Sequence, residues 1–288
     1  MNDRLAVRKT YKLFVGGAFP RSESGRSYEV RSAAREFLAN ASRASRKDVR
    51  DAVVAARTAF GGWSTRSAYN RAQILYRVAE MLEGRADQFA DEVARSEGGT
   101  RDDAAAAVAA AVDRWVWYAG WADKVSQVAG AANPVAGPYF NFSVPEPTGV
   151  VAIIAPQASS LLGLVSVVAP VIVTGNTVVV VASHDRPLPA ISLAEVLATS
   201  DLPGGVVNLL TGHTDELAPV LASHMDVNAI DLTGVASDQR GELERAAAEN
   251  VKRVLPAPAE EPDWTGDPGT GRLLAALEIK TVWHPVGI

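Results

Sequence analysis

Between residues 149 and 233, short apolar runs alternate with helix-length segments. The runs cover residues 149–156, 177–182, 206–210 and 228–232, and each is rich in Val, Ile or Leu. Helical stretches reaching Thr174, spanning 188–198 and spanning 216–222 separate them. A strand that is apolar on both faces must be covered on both, which a parallel sheet between two helical layers achieves. An open sheet of this kind binds ligands beyond the carboxyl ends of its strands. Any chemistry is therefore expected in the turns at 155–160, 183–186, 212–214 and 233–236.

With 288 residues, 48% of them hydrophobic, the chain can bury a full core as one large domain or two modest ones. A net charge of −5 offers nucleic acid no basic surface. The chain contains no cysteine, which excludes disulfides, thiolate metal sites and a cysteine nucleophile. Met1-Asn-Asp-Arg4 lacks the apolar core of a signal peptide. The longest apolar runs, near 150–155 and 161–173, are too short or interrupted to span a bilayer. A soluble cytoplasmic protein without membrane contact is the expectation.

Upstream, residues 12–19 read as two short strands around Gly16-Gly17. Ser45 and Asp48 can cap a helix whose apolar face is Val49, Val53, Ala56 and Phe60, ended by Gly61-Gly62. The spacing predicts a second helix from Ala68 to about Ser96 and a third from Thr100 to about Val128. Trp115, Trp117, Tyr118 and Trp121 on the third read as packing. Residues 129–147, bounded by prolines around Tyr139, Phe140 and Phe142, suggest an extended hairpin arm outside the main sheet, in need of a partner surface. A helix over 237–249 and a strand at 253–255 follow. The Pro- and Gly-rich stretch 256–271 then reads as a linker, followed by a tail with one strand-like run, 278–284. A lone strand after a linker has to join a sheet, its own or another subunit's.

Several of these segments together resemble the aldehyde dehydrogenase family. They are Leu13-Phe-Val-Gly-Gly17, Ala55-Ala-Arg-Thr-Ala-Phe-Gly-Gly-Trp63 and Glu146-Pro-Thr-Gly-Val-Val-Ala-Ile-Ile-Ala-Pro156. Further along come Gly175-Asn-Thr-Val-Val179, Leu202-Pro-Gly-Gly-Val-Val-Asn-Leu-Leu-Thr-Gly212, Leu232-Thr-Gly234 and the tail Glu278-Ile-Lys-Thr-Val-Trp283. The resemblance implies an α/β fold: a Rossmann-like doubly wound parallel sheet with N-terminal helices, a protruding hairpin arm and a C-terminal oligomerisation strand. It divides the chain into a cofactor-binding-like domain over 1–255, a linker over 256–271 in place of a catalytic domain, and an oligomerisation tail over 272–288. It also implies that Tyr139, Phe140, Phe142, Ile279, Val282 and Trp283 belong to an oligomer interface.

The departures bear on activity. After Pro156 the family has Trp and then the Asn that stabilises the oxyanion; here these are Gln157 and Ala158. Loss of such a donor costs on the order of 10²–10³ in rate. The Lys and Glu that hold the adenosine ribose become Val181 and His184, a loss of roughly 1–3 kcal/mol per partner. Thr-Gly-Ser becomes Thr233-Gly-Val235, and the segment carrying the general base becomes Leu255-Pro-Ala-Pro-Ala259. Without a cysteine the family's reaction cannot run in this chain. Residual NAD contacts would fall at Pro156, Ser183, Gly212, Thr233 and Gly234, with backbone donors at Gly212, Ser183 and the helix after Gly234.

Other groups read blandly. Ser159-Ser160 lie in no nucleophile elbow and suit helix capping. His184, His213, His224 and His284 have no metal-ligand spacing. Glu260-Glu261 read as solvated linker carboxylates. The expectation is an inactive subunit that scaffolds or regulates a full-length NAD(P)-dependent aldehyde dehydrogenase paralogue in a hetero-oligomer, with no cofactor required. The alternatives are a nucleotide sensor or NAD-binding oxidoreductase using non-cysteine chemistry, and a self-assembling structural homo-oligomer.

Overall fold

In the computed structural model, which describes residues 8–287, the chain opens with a small sheet. Its strands β1 (Thr10–Tyr11), β2 (Ser27–Arg31) and β3 (Phe37–Ser42) lie in the order β1-β3-β2. The segment between β1 and β2 differs from a free-standing hairpin. Val15 and Ala18 do exchange hydrogen bonds around Gly16 and Gly17, both in the left-handed region that this turn requires. Phe14, however, pairs with Leu209 at the rim of the large sheet. The turn is thus an appendage of that sheet.

Helix α1 (Arg46–Ser64) starts at a capping box in which Ser45 and Asp48 each accept the other's backbone N–H. It runs through Gly61-Gly62, where the sequence suggested a stop. The reason is tertiary: the buried Trp63 indole donates to the Ile172 carbonyl at 2.8 Å, holding the last turn down. The single helix expected over 68–96 is two, α2 (Ala68–Glu83) and α3 (Ala86–Glu97). Gly84 closes the first, and Arg85 between them bonds Glu195 at 2.7 Å. The next, α4 (Arg101–Ala119), ends at Gly120 rather than near Val128, and the short α5 (Val125–Ala129) follows a turn.

After the two arm strands β4 (Ala131–Asn133) and β5 (Tyr139–Pro147), the expected alternation appears. It runs β6 (Val150–Ile154), α6 (Leu162–Val173), β7 (Thr177–Val181), α7 (Leu188–Ala198), β8 (Val207–Leu210), α8 (Thr214–Ser223), β9 (Ala229–Asp231), α9 (Arg240–Ala248) and β10 (Arg253–Leu255). These five strands form one wholly parallel sheet in the order β10-β9-β6-β7-β8. Alternate residues feed two cores. Val151, Ile153, Val178 and Val180 join the layer containing Leu75, Phe89, Trp115, Tyr118 and Leu164. Val150, Ile154, Val179 and Val181 face Val49, Val53, Leu221 and Leu243. Among the described residues no helix is long and apolar enough to cross a membrane.

Residues 256–270 fold back across the sheet's carboxyl end, leading into α10 (Gly271–Ala275) and β11 (Leu277–Pro285). The last strand pairs antiparallel with β5 along its whole length, from Leu277 opposite Pro147 to Pro285 opposite Tyr139. Of the two sheets open to a lone strand after a linker, its own or another subunit's, the tail joins its own, so one edge is satisfied internally. The other edge of β11 remains the rim of the sheet β11-β5-β4. Asn176 latches this end to the core, accepting from Gly149 N–H and donating to the Ala276 carbonyl, both at 2.8 Å.

Candidate functional site

The order of strand addition reverses at β6, with β7 and β8 built to one side and β9 and β10 to the other. The crevice for a ligand in such a sheet lies at the carboxyl ends of the strands flanking that switch. At β6 the chain leaves through Ala155 and Pro156 into Gln157. The Gln157 amide donates to the Ala155 carbonyl at 2.7 Å and accepts from His184 N–H at 3.1 Å. Its backbone carbonyl accepts from the Ser183 hydroxyl at 3.0 Å. Gln157 therefore staples the β6 turn to the β7 turn, and Ser183 is engaged in that staple.

The residues ahead of α6 meet carboxylates from the chain itself. Ala158 and Ser159 donate their backbone N–H groups to the two oxygens of Glu261, each at 2.9 Å. Trp264 steadies the carboxylate through its indole N–H at 3.1 Å. Ser160 gives both its N–H and its hydroxyl to Glu97 at 2.6 Å, and Ser159 Oγ caps the Gly163 N–H. Glu261 is thus not the free linker carboxylate its surroundings in sequence suggested. Neither serine meets a histidine among these contacts, so no nucleophile and base are brought together.

On the far side of the switch, Thr233 donates both N–H and hydroxyl to the buried Asp231. Arg272 completes this knot, donating to Asp231 at 2.6 Å and to Thr233 Oγ1 at 2.9 Å. Gly234 passes so close to β6 that its N–H reaches the Ile154 carbonyl at 2.9 Å. Val181, where the resemblance sets a Lys, is fully buried. At the β7 and β8 ends, Tyr28 stacks on His184 at 4.8 Å between ring centroids, and His184 lies 4.2 Å from His213. Burial holds the His213 pKa below its ordinary value, reinforced by His184 and Arg43. His184 Nδ1 lies 3.0 Å from the Gly212 carbonyl, so Gly212 too is occupied.

Of the residues read from the sequence, Pro156, Ala158, Thr233 and Gly234 border the switch, and Ser183 and Gly212 stand at the neighbouring strand ends. Polar groups of Ala158, Ser183, Gly212, Thr233 and Gly234 are engaged by protein partners. Glu97, Trp264 and Arg272 have no place in the sequence reading, which takes Glu261 only as a solvated carboxylate. Only Trp264 left a signal, a large aromatic in an otherwise Pro- and Gly-rich stretch.

The interface candidates lie on β5 and β11. Tyr139, Phe140, Ile279 and Trp283 are exposed, while Phe142 and Val282 face each other across the ladder and are half-buried. Tyr139 meets Trp283 edge-on at 5.7 Å.

Comparison with known proteins bears on what this framework is. Residues 19–256 match the model of the aldehyde dehydrogenase family. The chain is 36% identical over 257 residues to 2-hydroxymuconic semialdehyde dehydrogenase of Pseudomonas sp. (strain CF600), covering 85% of this chain and 51% of that protein. It is 32% identical over 251 residues to cytosolic aldehyde dehydrogenase 1 of Elephantulus edwardii, covering 84% of this chain and 49% of the relative. Among solved structures, the NAD+ complex of an aldehyde dehydrogenase from Bacillus cereus superposes with a TM-score of 0.81 at 28% identity, covering 85% of this chain and 50% of that one. HpcC from Thermus thermophilus also gives 0.81, at 33% identity, with 85% and 47% covered. The chain spans about half the length of the relatives it matches. On the family match, the identities and the shared parallel sheet, this chain belongs to the aldehyde dehydrogenase family.

Proposed function

We propose that this chain is a catalytically inactive member of its family, which scaffolds or regulates a full-length, cysteine-bearing aldehyde dehydrogenase within a cytoplasmic hetero-oligomer. One observation carries the inactive part: the Glu261 carboxylate sits on the Ala158 and Ser159 N–H groups, beside the position that would need an oxyanion donor. A fixed negative charge there repels a developing oxyanion, and Ala158 supplies no side-chain donor to offset it. The chain also has no cysteine to form the thioester. On this reading residues 256–271 stand in place of the catalytic domain, and 272–288 form the oligomerisation tail.

The partner half rests on the arm. The outer edge of β11 offers unpaired backbone groups, flanked by exposed Ile279 and Trp283. Edges of this kind pair with another sheet unless charge or proline blocks them. Purification from the native host with mass spectrometry should return an aldehyde dehydrogenase in fixed ratio. The double variant Ile279→Lys, Trp283→Lys should lose that partner while keeping its own fold. Recovery of this chain alone, or undiminished capture by the double variant, would sink the reading. Calorimetry with NAD addresses the nucleotide-sensor alternative, which requires saturable heat.

A further inference from the structure

A small cavity of about 130 Å³ lies between α4, α6 and residues 262–268, apart from the turns that cap the sheet. Three of its walls carry polar groups left without a matching partner. Arg114 of α4 is 6% exposed, yet its guanidinium meets only neutral acceptors, the carbonyls of Trp264 and Gly266. No carboxylate among the described residues lies within salt-bridge reach of it. One turn further along α4, the Tyr118 hydroxyl is buried with no hydrogen-bond partner, and so is the Ser166 hydroxyl on α6. Each buried hydroxyl left unpaired is costly, and a buried cation facing only neutral groups costs more. Burial pushes the Tyr118 pKa up to about 12, so at neutral pH the group remains a donor.

The rest of the lining sets what could fit. Arg272 is already committed to Asp231 and Thr233. The Trp264 indole forms part of the wall and stacks under Arg272. Asp263 and Asp267 are exposed at the rim and are turned into their own loops, accepting from Thr265 N–H and Gly269 N–H. Their charge at the mouth disfavours a dianion, while a monoanion can put its single charge on Arg114 below. The space equals about four waters at ~30 Å³ each, enough for about four to six non-hydrogen atoms.

We propose that this cavity binds a short-chain monocarboxylate, its two oxygens held by Arg114, Tyr118 and Ser166 and its alkyl end against Trp264. The inference does not depend on the chain being an inactive subunit; that reading would survive its failure. The ceiling for ligands of about five non-hydrogen atoms puts the tightest possible Kd at roughly micromolar.

The test titrates the whole purified chain with propionate, using phosphate and chloride at matched ionic strength as controls. Binding is followed by thermal shift and by line broadening of 13C-labelled propionate. The expected result is a saturable response to propionate alone, weakened about tenfold in Tyr118→Phe and in Ser166→Ala, each of which removes one hydrogen bond and keeps the packing. Should Tyr118→Phe not fold, Ser166→Ala decides. Three results would overturn the proposal: no saturation by about 100 mM, equal responses to phosphate or chloride, or an affinity unchanged in the variants. A propionate-soaked crystal showing only waters in the cavity would do the same.

Discussion

Gly234 crosses Ala155 so closely that a Cβ on it would lie 1.8 Å from the Ala155 carbonyl oxygen. Both atoms belong to backbone held between β6 and β9, so neither can move without parting those strands. Gly234→Ala should therefore destabilise the chain by on the order of 3 kcal/mol, through overpacking. Urea denaturation followed by tryptophan fluorescence would measure it. A change within about 0.5 kcal/mol, the range of an ordinary surface substitution, would show that the crossing can relax.

Arg272 binds the returning segment to the sheet through Asp231, whose side chain is 1% exposed. Removing the cation leaves a buried carboxylate supported only by Thr233. Arg272→Met is expected to cost about 3 kcal/mol, and Asp231→Asn combined with Arg272→Met less than the sum of the two single changes. A double-mutant cycle in urea checks both; strict additivity would mean the pair is not coupled.

Glu261 closes residues 256–270 onto the head of α6, with Trp264 behind it. Glu261→Ala should loosen this segment without unfolding the sheet. Under native conditions a nonspecific protease should cut between residues 256 and 270 several-fold faster than in the parent, while the thermal transition moves little. Cleavage at an unchanged rate would indicate that Arg114, Arg240 and Arg272 hold the segment without Glu261.

Lys252 offers a pH signature. It is 7% exposed, donates to the His224 carbonyl and to Asn250 Oδ1 at 2.7 Å each, and burial lowers its pKa to about 8. A lysine in the unfolded chain titrates near ~10.4. Between those values the unfolded chain binds more protons than the folded one, so stability rises with pH across the window. Below about pH 8 the penalty of burying the charge is fully present. Relative to Lys252→Met, the parent should gain stability as pH goes from about 8 to about 10. Parallel curves for the two proteins would refute the assignment.

The parallel sheet was legible because its strands are apolar on both faces, a pattern that few other arrangements of the chain could bury. Every residue of Thr177–Val181 is buried, as a central strand requires. Helix limits were less legible. Gly61-Gly62 failed to stop α1 because Trp63 finds a partner 109 residues away, and Gly84 succeeded in splitting a helix that period alone would join. The site was the least legible part. Asp231 reads as one more strand residue until Arg272 arrives from 41 residues on, and Glu261 sits in composition that marks a solvated loop. Such polar pairings follow no period, so only the three-dimensional path brings them together.

The pairing of β11 with β5 also orders events during synthesis. The parallel sheet can form as soon as residue 255 is available, since all five of its strands lie within residues 150–255. β5 cannot complete its sheet until residues 277–285 have left the ribosome, because Tyr139 waits for Pro285. Until then Phe140 and Phe142 line an open two-stranded hairpin, the part of a growing chain most prone to capture by another sheet. The growing chain therefore holds this strand edge open after every strand of its parallel sheet has been made.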